Sequence, residues 1–373
     1  MLKQYKFKNY NFRLVIYVTA ITILGILVIG SAKESVQNKQ ILGLFLGMVV
    51  MICVSVIDYS LFLRFSWLGY ILNLGLLALV KVMGEGANGA TRWIEIAGIR
   101  FQPSELSKIL LILFFAYFFM KYQEKLNTVK ILGLSFILAG IPLVLIKEQP
   151  DLSTTIVTAL IFVTLLFIAG LSYKIVLGVL AVSVPAVIIF ISLILQTDQK
   201  ILDPYQYKRI MAWLQPEKYA DLAYQQLNSK MAIGSGQLWG KGLNNSQITS
   251  VKNGNFISEP QTDFIFAIVG EELGFVGSVI VIALLFLIVM ECIIMARKAK
   301  DISGRLICCG MASLIGFQGF VNVCVATGLM PNTGLTLPFV SYGLTSLVTL
   351  FLGIGFVLNV GLQPKKYGMG DTS

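Results

Sequence analysis

Three carboxylates interrupt a strongly apolar part of this chain. The segment EPQTDFIFAIVGEELG, residues 259–274, places Asp263 at the start of an apolar run and Glu271 and Glu272 inside it. The chain contains no histidine, which excludes His-based triads, His general bases and His metal ligands. Acid–base chemistry here must therefore use carboxylates, lysines or tyrosines. Thr262 could cap the following helix as well as Asp263 could, so capping alone does not explain the aspartate.

Glu271 and Glu272 lie two turns further along the same run. A charged side chain in a bilayer is costly, and two adjacent carboxylates cannot both face lipid. At least one of them is therefore expected to point into the protein or towards water.

A second charged group lies in FQPSELSK, residues 101–108. Pro103 suits the first turn of a helix, and Glu105 and Lys108, three residues apart, share a helix face and can pair. Two interpretations remain open: a neutralised ion pair that fixes helix packing, or a pair that lines a polar cavity.

A third carboxylate, Asp151, follows a helix-breaking proline in KEQPDLST, residues 147–154. A carboxylate at a helix start is favoured by the helix dipole. Simple capping and a role in substrate binding are both compatible with this position.

The segment TGLMPNTGLTLPFVSYGLTS, residues 327–346, has no charge but many glycines, prolines and hydroxyl groups, including Ser341 and Thr345. Non-helical backbone at membrane depth is tolerated only where it is buried in protein or lines a cavity. The pattern predicts a re-entrant or cavity-lining loop.

The elements that position these residues are membrane helices. The 373 residues are 56% hydrophobic and 13% charged, against about 25% charged residues in a soluble domain. A span needs about 20 apolar residues. The chain is therefore predicted to be an all-α integral membrane protein, a single domain over 1–373 with ten spans: 13–31, 41–59, 62–83, 103–121, 131–147, 152–170, 174–196, 263–296, 304–328 and 341–363. The eighth is too long for one straight span, which predicts a tilt or a projection.

Lysine and arginine orient the chain. Most of them fall before the first span, in alternate short loops, and in the tail after the last span, which predicts that both termini are cytoplasmic. The net charge of +10 is explained by basic cytoplasmic loops that can contact anionic lipid head groups. Nucleic acid is not an expected partner.

Residues 197–262 then form one long extracytoplasmic loop between spans 7 and 8. Its aromatic residues and the glycine-rich GSGQLWGKG, residues 234–242, favour a structured loop on the membrane surface, whose cations include Arg209 and Lys241. The alternative is a solvated loop with incidental lysines. All the polar groups described above converge on this side, which predicts an outward-facing polar cavity suited to a lipid-linked polar substrate.

Six segments of the chain resemble, in the same order, the motifs of the SEDS family (shape, elongation, division and sporulation), which includes the RodA, FtsW and SpoVE proteins. They are GATRWIEIAGIRFQPSELSK (89–108), QPDLST (149–154), PYQYKRIMAWLQP (204–216), AIGSGQLWGKG (232–242), TDFIFAIVGEELG (262–274) and TGLTLPFVSYG (333–343). One departure is SYGLTS, where the family usually has SYGGSS. Leu344 there removes a permissive glycine, whereas Thr345 keeps a hydroxyl.

The resemblance implies ten transmembrane helices in a bacterial plasma membrane and a peptidoglycan glycosyltransferase that polymerises lipid II at the outer face. It also implies that the protein acts together with a class B penicillin-binding protein and with other membrane proteins of the division or elongation machinery. It also carries four residues over to this chain: Asp263 as the essential aspartate, Glu105 with Lys108 as the ion pair, and Asp151.

The chemistry needs a base for the attacking hydroxyl and positive charge for the leaving pyrophosphate. Asp263 is the expected base. The pyrophosphate could be met by Arg92, Arg100, Arg209 or Lys241, or by a divalent cation, Mg²⁺ or Mn²⁺, held by carboxylates. No cofactor is otherwise expected. Substrate binding is predicted for Arg92, Glu105, Lys108, Asp151, Arg209, Lys241, Ser341 and Thr345.

Two other functions compete with polymerisation. A lipid-II flippase would also have many spans and intramembrane charges, but it needs a polar path to the cytoplasm. Here the ionisable groups cluster outside, apart from Asp58, Glu271, Glu272 and Glu291. The third possibility is a non-catalytic scaffold of the cell-wall machinery.

Overall fold

The computed structural model describes residues 7–87, 90–96, 99–178, 181, 204–244 and 256–363, and these are mostly helical. Eight of the helices in these ranges are long and apolar enough to cross a bilayer, and α7 is a shorter apolar helix. The helices are α1 (Phe12–Ala32), α2 (Glu34–Val56), α3 (Tyr59–Arg64), α4 (Ser66–Met83), α5 (Pro103–Lys121), α6 (Val129–Lys147), α7 (Leu152–Ile168), α8 (Pro204–Leu214), α9 (Ala220–Ser235), α10 (Ile265–Lys298), α11 (Ile302–Ala326) and α12 (Leu344–Leu362).

Nine of the ten predicted spans correspond to one of these helices; most of the seventh, 174–196, lies outside the described residues. Two boundaries differ from the prediction. Helix α2 begins at Glu34, whose carboxylate suits a first turn. The start of the third predicted span belongs to a separate short helix, α3, which Asp58 caps by accepting a hydrogen bond from Ser60 N.

Helix α5 lies at the centre of the bundle and is the most buried of the long apolar helices. Its aromatic side chains Phe114, Phe115, Phe118 and Phe119 are all buried and pack against one another and against α7. Helices α2, α4 and α6 bury only about a third of their residues or less. Their exposed apolar side chains are the surface that a bilayer would cover.

A small antiparallel sheet accompanies the predicted helices. Strands β1 (Glu85–Ala87), β2 (Ala90–Ile96) and β3 (Ile99–Phe101) pair in the order β1-β2-β3, with Glu85 opposite Trp93 and Ile94 opposite Phe101. The sheet connects α4 to α5 and carries Arg92 on its middle strand. It therefore positions one of the predicted site residues.

The long loop contains two helices, α8 and α9, in agreement with the prediction that it is structured. Side chains from both helices donate hydrogen bonds to carbonyls at the end of α11: Gln226 Nε2 to Val325 O, Ser229 Oγ to Ala326 O, and Trp213 Nε1 to Gly328 O. The last carbonyls of a helix lack intrahelical partners, so these bonds fix the loop onto the bundle.

Helix α10 is broken at Gly274, which has φ 66° and ψ −161°. Its 34 residues would extend about 51 Å as a straight helix, against a hydrocarbon core of about 30 Å. The break at Gly274 divides this long segment into two shorter helical parts, so no single straight helix has to extend over its whole length.

The glycine-rich loop 237–242 pairs with the backbone that this break exposes. Lys241 N and Gly242 N donate to Glu271 O and Glu272 O, and Phe275 N and Val276 N donate to Gln237 O and Leu238 O. This glycine-rich loop thereby satisfies backbone groups that the helix itself leaves unpaired.

Candidate functional site

Asp263 lies just before α10, but it does not cap that helix. The N-cap residue is Phe264, which provides no side-chain cap, and the Thr262 hydroxyl donates to Glu259 O at 2.9 Å. The capping roles considered for Thr262 and Asp263 are therefore wrong. The main chain of Asp263 is held by Asn322 Nδ2, which donates to Asp263 O at 2.9 Å and to Leu335 O at 2.6 Å.

Asp263 faces two arginines across a turn that contains Gly334. A Cβ atom built on Gly334 would lie 3.3 Å from Asp263 Oδ2 and 3.7 Å from Nη1 of both Arg209 and Arg92. Gly334 has φ +74°, a conformation that favours glycine. The missing side chain leaves one space that a carboxylate and two guanidinium groups share.

Arg92 is held rigidly in that position. Its Nε donates to Gln149 O at 3.3 Å, and its Nη2 donates to Pro150 O. Its Nη1 lies 3.9 Å from Asp151 Oδ2, with both side chains largely buried. Asp151 also caps α7 by accepting from Thr154 N at 3.1 Å, so the predicted capping is confirmed and an ionic contact to Arg92 accompanies it.

The electrostatic surroundings of Asp263 are mixed. Burial raises the pKa of Asp263, the positive charges of Arg209 and Arg92 lower it, and the negative charges of Asp151 and Glu259 raise it further, with a net upward shift. A carboxylate with a raised pKa is a stronger base when ionised. Two guanidinium groups beside it can bind an anionic group such as a phosphate.

Glu105 and Lys108 form a buried ion pair, as their spacing predicted. Lys108 Nζ lies 2.7 Å from Glu105 Oε1, with side chains 1% and 6% exposed. Lys108 also donates to Gln318 Oε1 at 2.7 Å, and Ser346 Oγ donates to Glu105 Oε2 at 3.0 Å. The burial favours the structural interpretation of this pair; its binding of substrate stays a prediction.

The segment 335–346 is anchored through Ser341 and Thr345. Ser341 Oγ accepts from Leu337 N and donates to Thr262 O, both at 2.7 Å. Thr345 Oγ1 donates to Arg100 O at 3.2 Å. Ser341 thus links this loop to the residue before Asp263. Substrate contacts of Ser341 and Thr345 stay predictions.

Lys241 lies beside the break in α10 and contacts Glu271, three residues before Gly274. Its Nζ lies 2.9 Å from Glu271 Oε1, and Ser31 Oγ donates to Glu272 Oε1 at 2.6 Å. Glu271 and Glu272 are both buried, which confirms that they do not face lipid. The cation of Lys241 therefore neutralises Glu271, while Arg92 and Arg209 are the cations next to Asp263.

The residues described here do not form an evident metal site. No group of three metal-binding side chains occurs in the described ranges, and the charges nearest Asp263 include two arginines. Binding of a divalent cation at this position stays a prediction; the positive charge that the described residues bring to Asp263 comes from the guanidinium groups of Arg92 and Arg209.

Two positions at this site, Gly334 and Asn322, were not predicted from the sequence. Gly334 was one of many glycines in an uncharged segment, and Asn322 was a polar residue inside an apolar helix. An intramembrane amide is itself a reason to expect an interhelical hydrogen bond, and that signal could have identified Asn322.

The fold and site define a polytopic membrane protein with a polar, charged site at one end of its helix bundle. The chain belongs to the FtsW, RodA and SpoVE family of cell cycle proteins, whose model matches residues 7–366. Its apolar helices and its membership of this family indicate a multi-pass bacterial membrane protein.

Individual relatives match nearly the whole chain. It is 32% identical to the probable peptidoglycan glycosyltransferase FtsW of Trichlorobacter lovleyi, over 97% of this chain and 96% of the relative. It is 34% identical to the peptidoglycan glycosyltransferase MrdB of Escherichia coli K12, over 93% and 92%.

Solved structures agree with this placement. One is a chain of a peptidoglycan synthase complex described as coordinating polymerization and crosslinking; it is 30% identical, with a TM-score of 0.76 over 94% of this chain and 97% of that chain. Another is the rod shape determining protein RodA of Thermus thermophilus, 28% identical, with a TM-score of 0.69 over 96% and 98%.

Proposed function

We propose that this protein is a peptidoglycan glycosyltransferase that polymerises lipid II at the outer face of the plasma membrane. The FtsW and MrdB relatives reported above are named as a probable peptidoglycan glycosyltransferase and a peptidoglycan glycosyltransferase. The observation that carries the proposal is the shared space around Gly334, where the Asp263 carboxylate meets Arg209 and Arg92. That arrangement supplies a base and an anion-binding site within one substrate's reach.

The reaction joins two lipid-linked disaccharides. The 4-hydroxyl oxygen of the acceptor bonds to the anomeric carbon of the donor, while the bond from that carbon to the pyrophosphate oxygen breaks. The hydroxyl proton passes to the Asp263 carboxylate, and undecaprenyl pyrophosphate leaves with the electron pair. A single displacement inverts the α-linked donor to a β-linked product and needs one base, on the acceptor side.

Arg92 and Arg209 are proposed to bind the pyrophosphate. Guanidinium groups suit phosphate oxygens because they present paired donors at a fixed geometry. The bonds from Arg92 to Gln149 O and Pro150 O, and its contact with Asp151, hold its guanidinium in place before substrate arrives. Preorganised charge of this kind stabilises the transition state without reorganisation during the reaction.

The protein is also proposed to act with a class B penicillin-binding protein and with other membrane proteins of the division or elongation machinery. Support comes from the structural neighbour, which is a chain of a peptidoglycan synthase complex.

Purified protein given labelled lipid II, alone and with a candidate penicillin-binding partner, tests the proposal. Polymer is the expected product. Lipid translocation in vesicles without polymer would identify a flippase, and neither activity would identify a scaffold. The flippase is less well supported because three intramembrane carboxylates are already engaged. Glu271 pairs with Lys241, Glu272 accepts from Ser31, and Glu291 accepts from Asn11 Nδ2 at 2.7 Å.

The pH dependence of polymerisation should report the charges around Asp263. The base must be ionised, so kcat/KM should rise with pH through the pKa of Asp263. Arg209→Gln removes a charge that lowers this pKa, so the acid limb should move to higher pH. Glu259→Gln removes a charge that raises it, so the limb should move to lower pH. Shifts in the same direction for both variants would contradict the assignment.

Gly334→Ala should strongly reduce polymerisation. The new methyl group would enter the space between Asp263 and the two arginines, and misplacement of reacting groups by about 1 Å can cost about 100-fold in rate. Gly170→Ala is the matched control because Gly170 also has a positive φ, +107°, but open space around it. Equal polymerisation rates in the two purified variants would show that position 334 does not border the reacting groups.

A further inference from the structure

The turn Pro331–Gly334 is held next to Asp263 by its backbone. Arg209 Nη1 donates to Asn332 O at 3.4 Å, and Ser153 Oγ donates to Thr333 O at 3.0 Å. Gly334 then borders Asp263 directly. Asn332 and Thr333 therefore lie in the turn that borders the site.

The side-chain oxygens of these two residues have no hydrogen-bond partner. Asn332 Oδ1 and Thr333 Oγ1 are both covered from solvent and unpaired within the described structure. Polar groups further along the same segment are paired: Leu335 O accepts from Asn322, and Thr336 Oγ1 accepts from Gln318 Nε2 at 3.1 Å. Buried polar atoms in native proteins are nearly always paired, and an unpaired one destabilises the fold. Two consecutive unpaired oxygens beside a reactive site call for a ligand that pairs with them.

We propose that Asn332 and Thr333 bind polar groups of the substrate's sugar, its hydroxyl or acetamido groups, beside the bond that reacts. This assignment rests on the proposed polymerisation of lipid II. A side-chain amide and a hydroxyl are neutral groups that both donate and accept, which matches a sugar better than a pyrophosphate. The site then divides by charge: Arg92 and Arg209 face the pyrophosphate, and the uncharged turn faces the sugar.

Because both oxygens are covered, the turn shifts when the sugar binds. Gly334 allows that shift, since a glycine at φ +74° can move to other backbone conformations without a Cβ clash. The sugar provides the partners that the two oxygens lack in this conformation.

Thr333→Val tests the assignment because it removes the hydroxyl and keeps the side-chain shape. An unpaired hydroxyl contributes nothing to the fold, so the melting temperature should stay the same or rise. The kcat/KM for lipid II polymerisation should fall about tenfold, as for one lost hydrogen bond. Thr333→Ser keeps the hydroxyl and should restore most of the activity.

Thr327→Val is the matched control because the Thr327 hydroxyl donates to Val323 O at 2.8 Å inside the protein. It should lower the melting temperature and leave kcat/KM unchanged. Wild-type kcat/KM in Thr333→Val, or a clear loss of its melting temperature, would overturn the assignment while the proposed function stands. A folded wild-type protein that makes no polymer would instead refute the proposed function, and this inference with it.

Discussion

Asp263→Asn is expected to lower the rate of glycan polymerisation by about 10²- to 10⁴-fold, the usual contribution of a general base. Asparagine keeps the size of the side chain but cannot accept the proton of the attacking hydroxyl. Arg92 and Arg209 remain in place to bind the pyrophosphate, so kcat should fall more than KM changes. The measurement is the initial rate of polymer formation from labelled lipid II by purified protein.

Asp221→Asn is the matched control for this variant. It makes the same chemical change at an exposed position in the first turn of α9, and it should leave the rate unchanged. Thermal unfolding in detergent should show that both variants are folded. A folded Asp263→Asn protein that polymerises at the wild-type rate would show that Asp263 is not the base.

Lys108→Met is expected to destabilise the protein by about 3–5 kcal/mol, because it leaves the Glu105 carboxylate buried without its cation. Lys108 also bonds to Gln318, which donates to Thr336 O at 3.1 Å, two residues from Gly334. The variant should therefore loosen the turn beside Asp263 and reduce polymerisation as well. Denaturation midpoints in detergent measure the first effect, and the lipid II assay measures the second.

The double variant Glu105→Gln/Lys108→Met separates charge from shape. Replacing both members of a buried pair with neutral groups is often close to neutral for stability, so most of the lost stability should return. Equal destabilisation by the single and double variants would mean that side-chain packing, and not an unpaired charge, explains the loss.

Elements with a strong local signal could be predicted from the sequence. The long apolar runs predicted nine helices that the structure contains, and the i, i+3 spacing of Glu105 and Lys108 predicted their pair. Capping by Asp151 was likewise one of the two interpretations open from the sequence, because proline and aspartate mark a helix start within a few residues, and the structure shows that cap. Each of these features depends on neighbours close in the chain.

Features that depend on distant neighbours could not be predicted in the same way. Strands β1 and β3 have only three residues each, and the seven residues of β2, ATRWIEI, do not alternate strictly between apolar and polar side chains, so the strand that positions Arg92 was not apparent. The pairing of Lys241 with Glu271 requires the loop 237–242 to meet the break at Gly274. Asn332 and Thr333 carry no charge, and only the fold reveals that their oxygens are unpaired.

Vesicles that carry purified protein and lipid II accessible from the outside provide the most direct test of the central claim. Wild-type protein, alone or with its penicillin-binding partner, should convert the lipid to β-linked glycan strands, and Asp263→Asn should not. No polymer from folded wild-type protein in either setting, or equal polymer from the two proteins, would contradict the account.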